Sequence, residues 1–151
     1  MVLKELSIMK KIVFICTGNT CRSPMAEGIF KALLRGKGIT DIESGSAGLS
    51  AFSGMPVTDN AVAAAAELGA DISGHRASPV TQYLLDDTDL FVCMTEVHAE
   101  TLKNFLPPEK VTVLGGGITD PYGGDLEAYR ACALLIRDGL AELIKKIIPT
   151  E

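Results

Sequence analysis

The chain has 151 residues, 47% of them hydrophobic, which suits one domain with a buried core and leaves little room for a second. A net charge of −5, with no run of basic residues, excludes the electrostatic footprint of nucleic-acid binding. Charged residues from Lys4 to Lys11 break up any signal-peptide h-region, and no stretch reaches the ~20 apolar residues of a membrane span, so a soluble cytoplasmic protein is expected.

Residues 1–9 read as an N-terminal extension and 10–151 as a single domain. Lys11-Ile12-Val13-Phe14-Ile15 is a continuous apolar run, as expected for a strand covered on both faces of a parallel sheet. After the loop that begins at Cys16, Ser23 reads as an N-cap and Pro24 as the first residue of a helix. Met25, Ile29, Phe30, Leu33 and Leu34 recur at helical spacing until Gly36 and Gly38. Ile42–Ala47 is a short strand, and Val57–Leu68 an alanine-rich helix closed by Gly69. Asp89–Met94 reads as a buried strand, Glu96–Phe105 as a helix stopped by Pro107 and Pro108, and Val111–Leu114 as the last strand. Asp125 caps a final helix whose apolar face runs through Leu126, Tyr129, Ala133, Ile136, Leu140, Leu143 and Ile147. Alternating strands and helices predict an α/β fold around an open, mainly parallel sheet, with ligands bound beyond the carboxyl ends of the strands.

The loop Cys16-Thr17-Gly18-Asn19-Thr20-Cys21-Arg22-Ser23 lies at such an end. Backbone N–H groups of a short loop can turn inward, the following helix adds partial positive charge, and Arg22 supplies a full one. Those features bind a phosphate dianion and favour a thiolate beside it. Arg22 can donate two parallel hydrogen bonds to phosphate, with the phosphorus close to the Cys16 sulfur. Ser23 can both cap the helix and donate to that sulfur.

The Cys-x5-Arg-Ser loop resembles that of the low-molecular-weight protein tyrosine phosphatases. Ser44-Gly45-Ser46-Ala47-Gly48, His75-Arg76-Ala77-Ser78 and Asp120-Pro121-Tyr122 extend the resemblance over essentially the whole chain from Lys10. It implies a four-stranded parallel sheet with helices on both faces, in a flavodoxin-like topology. It also implies cofactor-free, metal-independent catalysis through a phosphocysteine. Asp120, in the family's Asp-Pro motif, would protonate the leaving group and later activate water. His75 would support the loop through Asn19 and Ser23, with Ser46 as a further support, or would be an ordinary structural histidine. His98 is expected on a solvated helix face, and neither histidine has a neighbour at metal-ligand spacing.

The four cysteines are read as thiols. Cys21 is either a loop-packing residue or a redox partner for Cys16, while Cys93 and Cys132 are expected in the core. The substrate is a phosphorylated protein, carrying either phosphotyrosine or phosphoarginine. Phe52 and Tyr122 would line the pocket. Thr20 stands where many tyrosine-specific relatives carry an apolar residue, and Gly123 where they often carry a second aromatic. In these respects the motifs look most like those of the bacterial protein-arginine phosphatases. A thioredoxin-coupled arsenate reductase and a non-hydrolytic phosphate carrier are the alternatives. The first needs two relay cysteines, and Asp120 argues against the second.

Overall fold

The apolar run near the N-terminus forms β1, Lys11–Cys16, in a computed structural model that describes residues 9–148. β1 is central, paired in parallel with β2 (Glu43–Gly48) on one side and β3 (Leu90–Cys93) on the other; β4 (Val111–Val113) completes the order β2-β1-β3-β4. Strands with neighbours on both edges and both faces can be apolar throughout, which is why Ile12 to Ile15 show no alternation. The predicted four-stranded parallel sheet is the observed one.

Among the described residues five α-helices cover it: α1 (Arg22–Gly36), α2 (Asp59–Glu67), α3 (Gln82–Asp87), α4 (Glu96–Leu102) and α5 (Leu126–Ile147). Ile12 and Phe14 face the larger core layer with α1, α2 and α5. Val13 and Ile15 face the other way, toward Ala99 and Leu102 of α4 and the partly buried Leu84 and Leu85 of α3. Phe14 meets Phe30 of α1 edge-on at 5.3 Å, a geometry that adds about 0.5–1.5 kcal/mol beyond the area buried. The apolar face expected on α5 is buried from Tyr129 to Ile147, with Leu126 only partly covered at its start.

Several boundaries differ from the sequence reading. α1 begins at Arg22, so Pro24 is its third residue and Ser23 lies inside the helix; Cys21 holds the cap position without a side-chain cap bond. The helix expected from Val57 starts at Asp59, because Pro56 pairs with Arg76 in a β-bridge that keeps the preceding chain extended. β4 stops at Val113, where the left-handed Gly115 (φ +54°) turns the chain away. Asp125 does cap α5, accepting from the Ala128 N–H at 3.0 Å.

The order β2-β1-β3 reverses direction at β1, so the carboxyl ends of β1 and β3 frame a crevice. Cys16 is the last residue of β1, in register with Gly48. Ile118 N–H donates to the Met94 carbonyl at 2.6 Å, bringing the segment before Asp120 to the end of β3.

Candidate active site

Cys16 sits at the bottom of a cleft of about 430 Å³, 3% exposed. The loop turns over it because Asn19 takes a left-handed conformation (φ +58°), which asparagine tolerates better than most residues. That turn aims the Asn19 N–H at the Cys16 sulfur, 3.2 Å away. Ser23 Oγ stands 2.9 Å from the same sulfur. Because the Asn19 side-chain amide already donates to Ser23 Oγ at 2.8 Å, the serine proton is free to point at sulfur. Two donors therefore converge on Cys16, an arrangement that stabilises negative charge on it. Ser23 serves this role as the second residue of α1 rather than as its cap.

Asn19, fully buried, is the hub of the loop. Its amide also donates to Ser46 Oγ at 3.0 Å, and its Oδ1 accepts from the Ser78 N–H at 2.9 Å. His75 Nε2 lies 3.1 Å from the Asn19 carbonyl and 3.2 Å from Oδ1; both are acceptors, so that nitrogen carries the hydrogen. The Ser46 hydroxyl in turn donates to Glu27 Oε1 at 2.8 Å. Glu27 was not singled out from sequence, although it stands one turn beyond Ser23 on the same helix face.

Among the described residues, the backbone N–H groups of Thr17, Gly18, Thr20 and Cys21 donate to no protein acceptor. Together with the N-terminal end of α1 they form an anion cradle. Arg22, 5% exposed, is fixed by a 2.9 Å bond from Nη1 to the Ile118 carbonyl. Its Nη2 remains for an anion and meets Asp120 Oδ2 at 3.5 Å. Asp120 is half-exposed at the rim, its Oδ1 accepting from the Tyr122 N–H at 3.0 Å. Tyr122 and the following Gly123 occupy a turn closed by the Gly124 N–H on the Pro121 carbonyl at 2.8 Å. Gly123 has φ +84°, so the turn itself requires glycine there and a second aromatic would be strained.

Phe52 and Tyr122 line the mouth, 78% and 71% exposed, joined by Met55 and Pro56, which sequence reasoning did not select. The segment carrying Phe52 and Met55 is pinned by the Gly54 N–H on the Ala77 carbonyl and the Ala77 N–H on the Met55 carbonyl. Thr20 also faces the cleft. Cys21 is turned toward α5, its sulfur 3.4 Å from the Tyr129 hydroxyl and 3.7 Å from Thr58 Oγ1. Cys93 and Cys132 are buried, as expected, and burial pushes both thiols up to about 12.

His98 contradicts its expected place. It is buried, not solvated, because the helix that carries it packs under the first residue of the loop: Nε2 lies 2.9 Å from Thr17 Oγ1 and Nδ1 3.0 Å from Thr95 Oγ1. Among the described residues no three His, Cys, Asp or Glu side chains gather as a metal site.

Gly48 packs its backbone against the loop. A Cβ there would lie 2.5 Å from the Thr17 carbonyl oxygen and 3.0 Å from the Asn19 nitrogen, both main-chain atoms. Gly48→Ala is therefore expected to cost about 1–3 kcal/mol of stability in denaturant unfolding and to weaken phosphate binding.

The family model for low molecular weight phosphotyrosine protein phosphatases matches residues 11–150. The chain belongs to that family. It is 36% identical over 145 residues to a protein-arginine-phosphatase of Bacillus subtilis (strain 168), covering 90% of this chain and 93% of that protein. It is also 35% identical over 142 residues to a glutaredoxin arsenate reductase of Synechocystis sp., covering 92% and 99%. The crystal structure of a low molecular weight protein tyrosine phosphatase from T. tengcongensis superposes with a TM-score of 0.85 at 38% identity, over 91% of this chain and 99% of that one.

Proposed function

We propose that this chain is a phosphoprotein phosphatase in which Cys16 attacks phosphorus, Arg22 and the loop N–H groups hold the phosphoryl oxygens, and Asp120 moves the protons. The observation that carries this reading is a sulfur with two converging donors beneath four free N–H groups and an anchored guanidinium. In the first step the Cys16 thiolate forms the S–P bond as the P–O or P–N bond breaks, and Asp120 gives its proton to the departing atom. In the second, Asp120 takes a proton from water as the water oxygen bonds phosphorus, the S–P bond breaks to return the Cys16 thiolate, and inorganic phosphate leaves. Asn19, Ser23, Ser46 and His75 act by holding the loop's shape. Cys16→Ser, described below, is the direct test.

Phosphoarginine is the favoured substrate class, with phosphotyrosine as the other candidate. The cleft offers the Thr20 hydroxyl to a guanidinium, while Phe52, Met55 and Tyr122 give an apolar wall that either side chain could use. The similarity to an arginine phosphatase supports the same preference. Thr20→Ile should raise the ratio of phosphotyrosine to phosphoarginine turnover by about tenfold, measured as kcat/KM on matched peptides. An unchanged ratio would remove Thr20 as the discriminating residue.

Arsenate reduction is the alternative, and the similarity to a glutaredoxin arsenate reductase supports it, although the internal disulfide relay of the thioredoxin-coupled type finds less support. It would need accessible thiolates besides Cys16, whereas Cys93 and Cys132 are interior thiols pushed up to about 12.

A further inference from the structure

We infer that His98 is a positioning residue of the phosphate loop, acting through the Thr17 hydroxyl to fix the first peptide unit beyond Cys16. The inference rests on the phosphate-binding reading of that loop.

Two loop side chains are held from the β3 side of the sheet, Thr17 by His98 and Arg22 by the Ile118 carbonyl. Asn19 is tied to Ser46, His75 and Ser78, all on the β2 side. The Thr17 carbonyl accepts from the Ser50 N–H at 2.9 Å, again from the β2 side. Without His98, Thr17 would be fixed from one flank only, and its N–H is one of the donors left for phosphate.

The ring is itself fixed at both nitrogens. Thr95 caps α4, with its Oγ1 accepting from the His98 N–H, and the same oxygen lies 3.0 Å from Nδ1. Thr95 thus sets the angle of the imidazole, and Nε2 reaches Thr17 Oγ1 at 2.9 Å. A neutral ring has one donor and one acceptor, which two hydroxyls can satisfy in either order. Burial holds the His98 pKa below its ordinary value, and the positive Arg22 adds to this while Asp120 opposes it. The neutral ring is the form present at neutral pH.

Inorganic phosphate binding, measured by titration calorimetry on the full chain, tests the role without requiring turnover. His98→Ala and Thr17→Val should each weaken phosphate binding about three- to tenfold. The double variant should be no more than about twofold weaker than the poorer single one, because both changes break the same contact. His98→Gln keeps an amide N–H where Nε2 stands and should restore affinity to within about twofold of wild type. Thr17 is exposed, so Thr17→Val reports on the contact even if His98→Ala loses its fold. Unchanged phosphate affinity in Thr17→Val, multiplying effects in the double variant, or a His98→Gln protein as impaired as His98→Ala would overturn the inference. Wild type that binds phosphate but releases none from phosphopeptides would overturn the phosphatase reading alone. Wild type that binds no phosphate would overturn both.

Discussion

Cys16→Ser should lower phosphate release from phosphopeptides by on the order of 10⁴-fold or more, while inorganic phosphate still binds. A loss of that size corresponds to roughly 5.5 kcal/mol of transition-state stabilisation, at 1.36 kcal/mol per factor of ten. It is large because a thiol gives up its proton far more readily than an alcohol does. The Asn19 N–H at 3.2 Å and the Ser23 hydroxyl at 2.9 Å stabilise an anion once formed, but both act as donors and neither removes an alcohol proton. Serine is nearly isosteric and leaves the cradle of N–H groups and the Arg22–Ile118 bond in place, so binding survives. Steady-state turnover paired with phosphate calorimetry separates the two effects. Turnover within tenfold of wild type would remove Cys16 as the nucleophile.

Asp120→Asn should slow phosphate transfer to Cys16 by about 10²–10³-fold for phenolic and guanidinium leaving groups, and far less for an activated p-nitrophenolate. The more basic the departing atom, the more its expulsion depends on a proton delivered as the bond breaks. Asparagine keeps the shape and can still accept from the Tyr122 N–H, but it neither carries that proton nor pairs with Arg22. With p-nitrophenyl phosphate the first step stays fast while attack by water loses its base, so a burst of p-nitrophenol should precede slow turnover. The side chain is 51% exposed and its contact with Arg22 is 3.5 Å, so little stability should be lost. Equal slowing of phenyl and p-nitrophenyl phosphates would assign Asp120 a role other than proton transfer.

How legible these features were in sequence follows from how local their causes are. Lys11–Ile15 was readable as a buried strand because its apolar run is continuous, and α5 because a 22-residue helix repeats its core face many times. Cys16, Arg22 and Asp120 were readable because their chemistry is concentrated in short motifs. α3 was missed, since Gln82–Asp87 makes fewer than two turns and buries no residue completely. Of the two roles expected of Ser23, the contact with the Cys16 sulfur is present and the cap is not, because the preference of serine for helix starts is a local rule whereas its position here is set by the Cys16 sulfur and Asn19. His98 looked solvated among Glu96, Val97 and Glu100, and only the approach of Thr17, distant in sequence, buries it. Glu27, Met55 and Gly48 share that dependence on packing from elsewhere in the chain.

The central claim is a phosphoryl group carried on Cys16. Wild type and Asp120→Asn would be mixed with a phosphotyrosine or phosphoarginine peptide, quenched in acid within the first turnover, digested and mapped by mass spectrometry. Phosphate is expected on the Cys16 peptide in both proteins, persisting longer in Asp120→Asn. Phosphate on any other residue, or multiple turnovers with no phosphorylated enzyme at any quench time, would contradict that claim.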